Sequence, residues 1–130
     1  GLECQAAMLA AERRTEADLL AMESEVMDME KVMRLGGDVG EASVKFHTAF
    51  IAASHNAMLL RINEMLMELL RFSRSRSLQK PERYEDVLRD HRLILEKIRQ
   101  QDAIGAAQAL REHLEKAKHV VLATEPQHGA

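Results

Sequence analysis

The sequence predicts an all-α fold, an antiparallel helical bundle, and three observations predict it. Aromatic residues make up only 3% of the chain, with no Trp and one Tyr, so Leu, Met and Ala must fill the core. These are strong helix formers. Proline is confined to Pro81 and Pro126, which leaves long stretches free of helix breakers. Along those stretches apolar residues recur near every 3.6 positions, and no segment alternates with the period of a strand.

The elements follow in order. A first helix spans residues 2–13. Thr15 with Asp18 three residues on resembles a capping box with Asp in place of the usual Glu. It opens a second helix whose inner face carries Leu19, Met22, Val26, Met29 and Met33, and Gly36 and Gly37 end it. A third helix, residues 41–54, carries Val44, Phe46, His47, Phe50 and Ile51. A break or kink falls at His55 and Asn56. The fourth helix, residues 57–74, is the greasiest stretch, but Arg61, Asn63, Glu64 and Glu68 interrupt it and make it amphipathic. A Ser/Arg loop runs on to Lys80. Pro81 suits the first turn of a fifth helix, where its missing N–H has no partner to lose. That helix presents Tyr84, Val87, Leu88, His91, Ile94, Leu95 and Ile98. Asp102 can cap a sixth helix with Ile104, Ala107, Leu110, His113, Leu114 and Ala117 on one face. Six helices with short connections make an antiparallel bundle. The chain of 130 residues fits one domain, residues 1–124, with a frayed tail at 125–130.

Charge and cysteine content narrow the function classes. The formal net charge is −3, whereas a nucleic-acid binder needs a concentrated basic face. This stretch of chain is therefore not expected to bind DNA by itself. The one arginine-rich run, Arg71, Arg74 and Arg76, is broken by serines and reads as a solvated helix end. Cys4 is the only cysteine, so no internal disulfide can form, and a reducing cytoplasm is the natural setting. No secretory signal and no apolar run of spanning length is found, so no membrane partner is expected.

Chemistry centres on the histidines. His55, His119 and His128 fall at expected loops or helix ends, but His47, His91 and His113 occupy apolar positions. Asp102 lies eleven residues after His91, and His113 eleven after Asp102. If the chain turns at Gln101–Asp102, each histidine stands about 16 Å from the turn at ~1.5 Å per residue. The two rings then meet at one height, among Val87, Ile94, Leu95, Leu110, Leu114 and Ala117. Buried imidazoles need partners for their nitrogens. A divalent metal supplies one, because neutral imidazole is its commonest protein ligand. His47 would make a set of three nitrogens with an open position, the pattern of a site that receives water or a small ligand. Spacing alone leaves open the alternative that each is a hydrogen-bonded core histidine. Asp90 points about 100° away from His91 on the helix, and Glu64 could stand at the right height. Neither makes a convincing general base for metal-activated water.

A family resemblance covers nearly the whole chain. The run from Phe46-His47 through Ile51 to Ala53-Ser54-His55-Asn56 resembles the signature D-x-x-F-H-x-x-I/L-x-x-A-S-x-N of the C-terminal domain of GntR-type bacterial regulators of the FadR subfamily. Asp90-His91 with Ile94-Leu95 and Ile98 is similar to E-H-x-x-I-L-x-A-I. Gln101-Asp102, Ala106-Ala107 and His113-Leu114 are similar to the family's following stretch. Leu2-Glu3 and Leu9-Ala10-Ala11 with Arg13 and Thr15 resemble its opening. The resemblance implies a bundle of six or seven helices that follows an N-terminal winged helix-turn-helix, which binds operator DNA as a homodimer. It also implies a divalent metal, zinc or nickel, held by an aspartate and three histidines, with a small carboxylate effector at or beside it.

The family's histidines fall on His47, His91 and His113. The aspartate position, one turn before the first histidine, holds Ser43, a poor ligand for such metals. Keeping all three histidines argues against the branch that senses acyl-CoA. The Ser54-His55-Asn56 variant resembles members that sense pyruvate or lactate. An arginine that often precedes the Leu-Glu pair would fall before Gly1, and the DNA-binding domain is not in this chain.

Three further residues are candidates for the effector. Ser43 could line the cavity beside the metal. Asn56 could face the effector or cap a helix. Arg61 could clamp a carboxylate in a bidentate contact or be simply exposed. The functional expectation is a sensor domain, not an enzyme. A metal-dependent hydrolase-like bundle and a metal-free structural dimerisation module are the rival classes.

Overall fold

The computed structural model describes residues 1–77 and 80–124, with side chains for residues 1–69 and 80–119. Six α-helices appear in the expected order, with no strand among the described residues: α1 (Leu2–Arg13), α2 (Glu16–Arg34), α3 (Gly40–Ala52), α4 (Ala57–Ser77), α5 (Tyr84–Arg99) and α6 (Ala103–Thr124). The expected tail at 125–130, with His128, lies outside the described residues.

Local chemistry fixes the ends. The Thr15 hydroxyl accepts from the Asp18 N–H at 3.1 Å, and the Asp18 carboxylate accepts from the Thr15 N–H at 2.8 Å. Both halves of the capping box are thus present. Beyond α2 the chain reverses through Gly36 at φ +73°, a left-handed conformation suited to glycine. The Ser54 to Asn56 turn puts His55 at φ +51°. The Asn56 side chain accepts from the Leu59 N–H at 3.1 Å, the bond of an N-cap.

Three boundaries differ from the sequence reading. Helix α3 ends at Ala52 because the turn begins two residues earlier than expected. Helix α4 continues to Ser77, past the expected end at Arg74. Neither Gly nor Pro occurs between Gly40 and Pro81 to stop it, and Ser and Arg are tolerated inside helices. The side chains of Arg71, Arg74 and Arg76 lie outside the described residues. Pro81 begins a separate 3-10 turn, Pro81–Arg83, and α5 starts after it.

Helix α1 packs mainly on α6, α2 on α3 and α5, α5 on α6, and α3 on α4. Ala6, Ala7, Ala10 and Ala11 are all buried on α1, and these short side chains let it approach closely. Phe46, Phe50, Met22, Met29, Ile51, Ile94, Ile98 and Leu110 fill the interior. Ile104, expected on the inner face of α6, is 76% exposed; burial on α6 begins at Ala106 and Ala107. Among the described residues, no helix is long and apolar enough to cross a membrane.

Candidate metal centre

The α5–α6 hairpin turns at Gln100–Asp102, with Gln101 in the left-handed region at φ +59°. The Asp102 carboxylate accepts from the Gly105 N–H at 2.9 Å and so caps α6. Two equal arms of eleven residues leave this turn, and they bring the His91 and His113 rings to a centroid separation of 5.0 Å. Helix α3 delivers His47 from the other side, 5.4 Å from each of them. All three histidines are buried. One nitrogen from each lies within 4.8 Å of the others.

Aromatic neighbours hold the rings. Phe46 stacks on His91 with centroids 4.3 Å apart and planes 12° from parallel. Phe50 tilts against His47 at 5.3 Å. Two carboxylates reach in from adjacent helices. Glu3 on α1 lies 3.1 Å from His47 Nδ1, and Asp90 on α5 lies 3.0 Å from His113 Nδ1. Asp90 also accepts from Lys116 Nζ at 3.1 Å, and Lys116 reaches Asp86 at 3.4 Å. Burial pushes the Asp90 carboxyl up, but the bonds from His113 and Lys116, with their charges, hold it below its ordinary value.

The other expected site residues are placed as follows. Ser43 is buried on α3, one turn before His47. Asn56 caps α4 and Arg61 is exposed on the same helix. Glu64 is exposed on α4 and is not part of the histidine cluster. His55 pairs with Asp18 at 2.6 Å on the surface. His119 lies exposed within α6, not at its end.

The sequence reading missed Glu3 and set Asp90 aside. The 100° offset of Asp90 from His91 is correct, but it turns Asp90 toward α6, where His113 waits. The hairpin itself carried that signal: Asp90 is twelve residues before Asp102, and His113 eleven after it. Nothing local marks Glu3, because its partner is 44 residues away.

The residues fit a divalent transition metal. Imidazole nitrogens bind such ions at ~2.0–2.1 Å, so two of them sharing one ion are at most about 4.2 Å apart. A small inward shift of the rings closes the set. Three buried nitrogen donors, two of them backed by carboxylates, suit a transition metal better than calcium or magnesium, which prefer oxygen.

Residues 1–116 match the FCD domain family. This chain belongs to that family. The expected kinship with GntR-type regulators is thereby borne out at the level of the domain. The FCD domain is similar to an uncharacterized HTH-type transcriptional regulator, YdhC, of Bacillus subtilis (strain 168), at 29% identity over 127 residues. That match takes in 92% of this chain and 57% of the relative. Among solved structures, E. coli McbR/YncC superposes with a TM-score of 0.81 at 20% identity, over 94% of this chain and 59% of that one. This likeness is one of fold. The FCD domain thus spans a little over half the length of each.

Proposed function

We propose that this FCD domain is the effector-sensing part of a bacterial, cytoplasmic transcription regulator, and that His47, His91 and His113 hold zinc or nickel. The observation that carries the reading is the convergence of three buried imidazoles from three helices. A bound metal supplies a Lewis-acid anchor for the carboxylate of a small organic acid. Buried beside His47, Ser43 is too poor a ligand to fill the fourth position, which suits that position to water or to the effector.

Sensing requires that the effector bind two arrangements of the bundle with different affinity. The protein acts as a homodimer, and it contacts DNA only through a separate N-terminal winged helix-turn-helix. A binding role is supported over hydrolysis by the commitment of Asp90 to His113 and Lys116, which keeps it from acting as a general base. Simple esters and phosphoesters should therefore show no sustained metal-dependent turnover.

Elemental analysis of protein purified without a His-tag tests the site. About one zinc or nickel per chain is expected, lost in His91→Ala, and a thermal-shift screen of small carboxylates on the loaded protein follows. Failure to take up metal after incubation with zinc would overturn the metal part of the proposal.

A further inference from the structure

We infer that Glu3 and Asp90 are positioning residues of the histidine cluster, fixing His47 and His113 as Nδ1–H tautomers that turn their Nε2 lone pairs to its centre. A neutral imidazole carries one N–H and one lone pair, and an ionised carboxylate can only accept. With Glu3 Oε1 at 3.1 Å and Asp90 Oδ2 at 3.0 Å, the proton therefore sits on Nδ1 in both rings. The ligating nitrogen is then Nε2. A carboxylate behind a histidine also raises the basicity of the far nitrogen and fixes the ring plane.

Asp90 is itself held in place, because Lys116 bonds its other oxygen at 3.1 Å. The arrangement gives α1 a stake in the centre although it contributes no ligand: Glu3 stands in its first turn, against a ring carried by α3. The value of this to metal binding rests on the proposed function, but the tautomers belong to the metal-free protein and are measured there.

The test uses long-range proton–nitrogen correlation spectra of the metal-free protein at neutral pH. His47 and His113 should appear as neutral Nδ1–H tautomers. In Asp90→Asn the His113 signal should shift toward a tautomer mixture, and in Glu3→Gln the His47 signal should do the same. Zinc affinity, read by competition with a chromophoric chelator, should fall about 10–100-fold in each. Asp86→Asn, which touches Lys116 and neither ring, should leave both tautomers and affinity as they are. Circular dichroism and melting temperature confirm that the variants fold. An Nε2–H tautomer or an imidazolium at His47 or His113 in the parent chain would overturn the inference. So would unchanged spectra in Asp90→Asn. Absence of zinc binding in the parent chain with the expected tautomers would instead count against the metal proposal and leave the positioning role standing.

Discussion

Phe46 lies flat against His91, centroids 4.3 Å apart and planes 12° from parallel. The stacked ring is fully buried and also meets His47 edge-on at 6.2 Å and Phe50 at 6.0 Å. One side chain thus braces two members of the histidine cluster and ties them to the apolar core. Phe46→Ala should destabilise the domain by about 3–5 kcal/mol, read from urea unfolding. Phe46→Leu keeps most of the volume but loses the stacking, which contributes about 0.5–1.5 kcal/mol beyond area burial. Its loss of zinc affinity should exceed that of a control such as Ile98→Val, which removes one buried methyl elsewhere in the core.

Ser43 offers a sign test of the site. Ser43→Asp puts a carboxylate where only 4% of the residue is exposed. Without metal, burial of the new group should lower stability by at least ~1–3 kcal/mol. With zinc present, the same group can ligate and the stabilisation by metal should grow. Melting curves with zinc and with chelator check both halves. A variant destabilised equally in the two conditions would show that position 43 does not face the metal.

Asp18 sets an acid limit on the surface of the fold. Burial raises its carboxyl, but the Thr15 N–H, the His55 ring and the Thr15 hydroxyl outweigh this and hold it below its ordinary value. A carboxylate with a lowered folded-state pKa contributes stability that is present above its unfolded pKa and lost as pH falls through the folded one. Asp18→Asn should therefore be less stable than the parent near neutral pH, by about 0.5–2 kcal/mol for a weakened cap. The gap should close below the ordinary carboxylate range. Thermal melts at pH 7 and pH 3 test this.

Gly105 and Asp102 should be coupled. A glycine inside a helix ordinarily gains about 1 kcal/mol on change to alanine. Here a Cβ at position 105 would fall on the Asp102 carboxylate and on the Lys97 side chain, displacing the cap of α6. Gly105→Ala should forfeit the usual gain, and Asp102→Ala alone should lose about 1 kcal/mol. The double variant should recover part of the helix-propensity gain, and a double-mutant cycle by denaturant unfolding measures the coupling.

Much of this was legible in the sequence because its causes are local or mirror-symmetric. Thr15 and Asp18 cap α2 through neighbours three residues apart. His91 and His113 meet because equal arms leave one turn, so spacing alone sets them at one height. His47 is harder: its inward face is read from period, which makes it the third candidate of the set, and the family resemblance falls on the same residue, but its place in the cluster depends on how α3 packs. Glu3 was not legible, since its bond to His47 joins the two ends of a long loop of chain. Helix α4 runs on to Ser77, past the Ser/Arg stretch whose composition suggests a loop, because nothing in that stretch forbids helical geometry. Ile104 points outward because it lies about 100° round α6 from Ala103, and Ala103 is the residue of that first turn that packs against the core.

The α5–α6 turn carries a constraint on length. An α-helix rotates about 100° per residue. One residue added between Asp102 and His113 inside α6 would swing His113 away from His91 and break the Asp90–His113 pair, while the packing of α5 on α2 stayed intact. The segment between α4 and α5 sets the position of no histidine relative to this hairpin. Changes of chain length should thus be tolerated in the connection just before Pro81 and penalised between His91 and His113, and libraries of insertions scored for metal retention would trace the boundary directly.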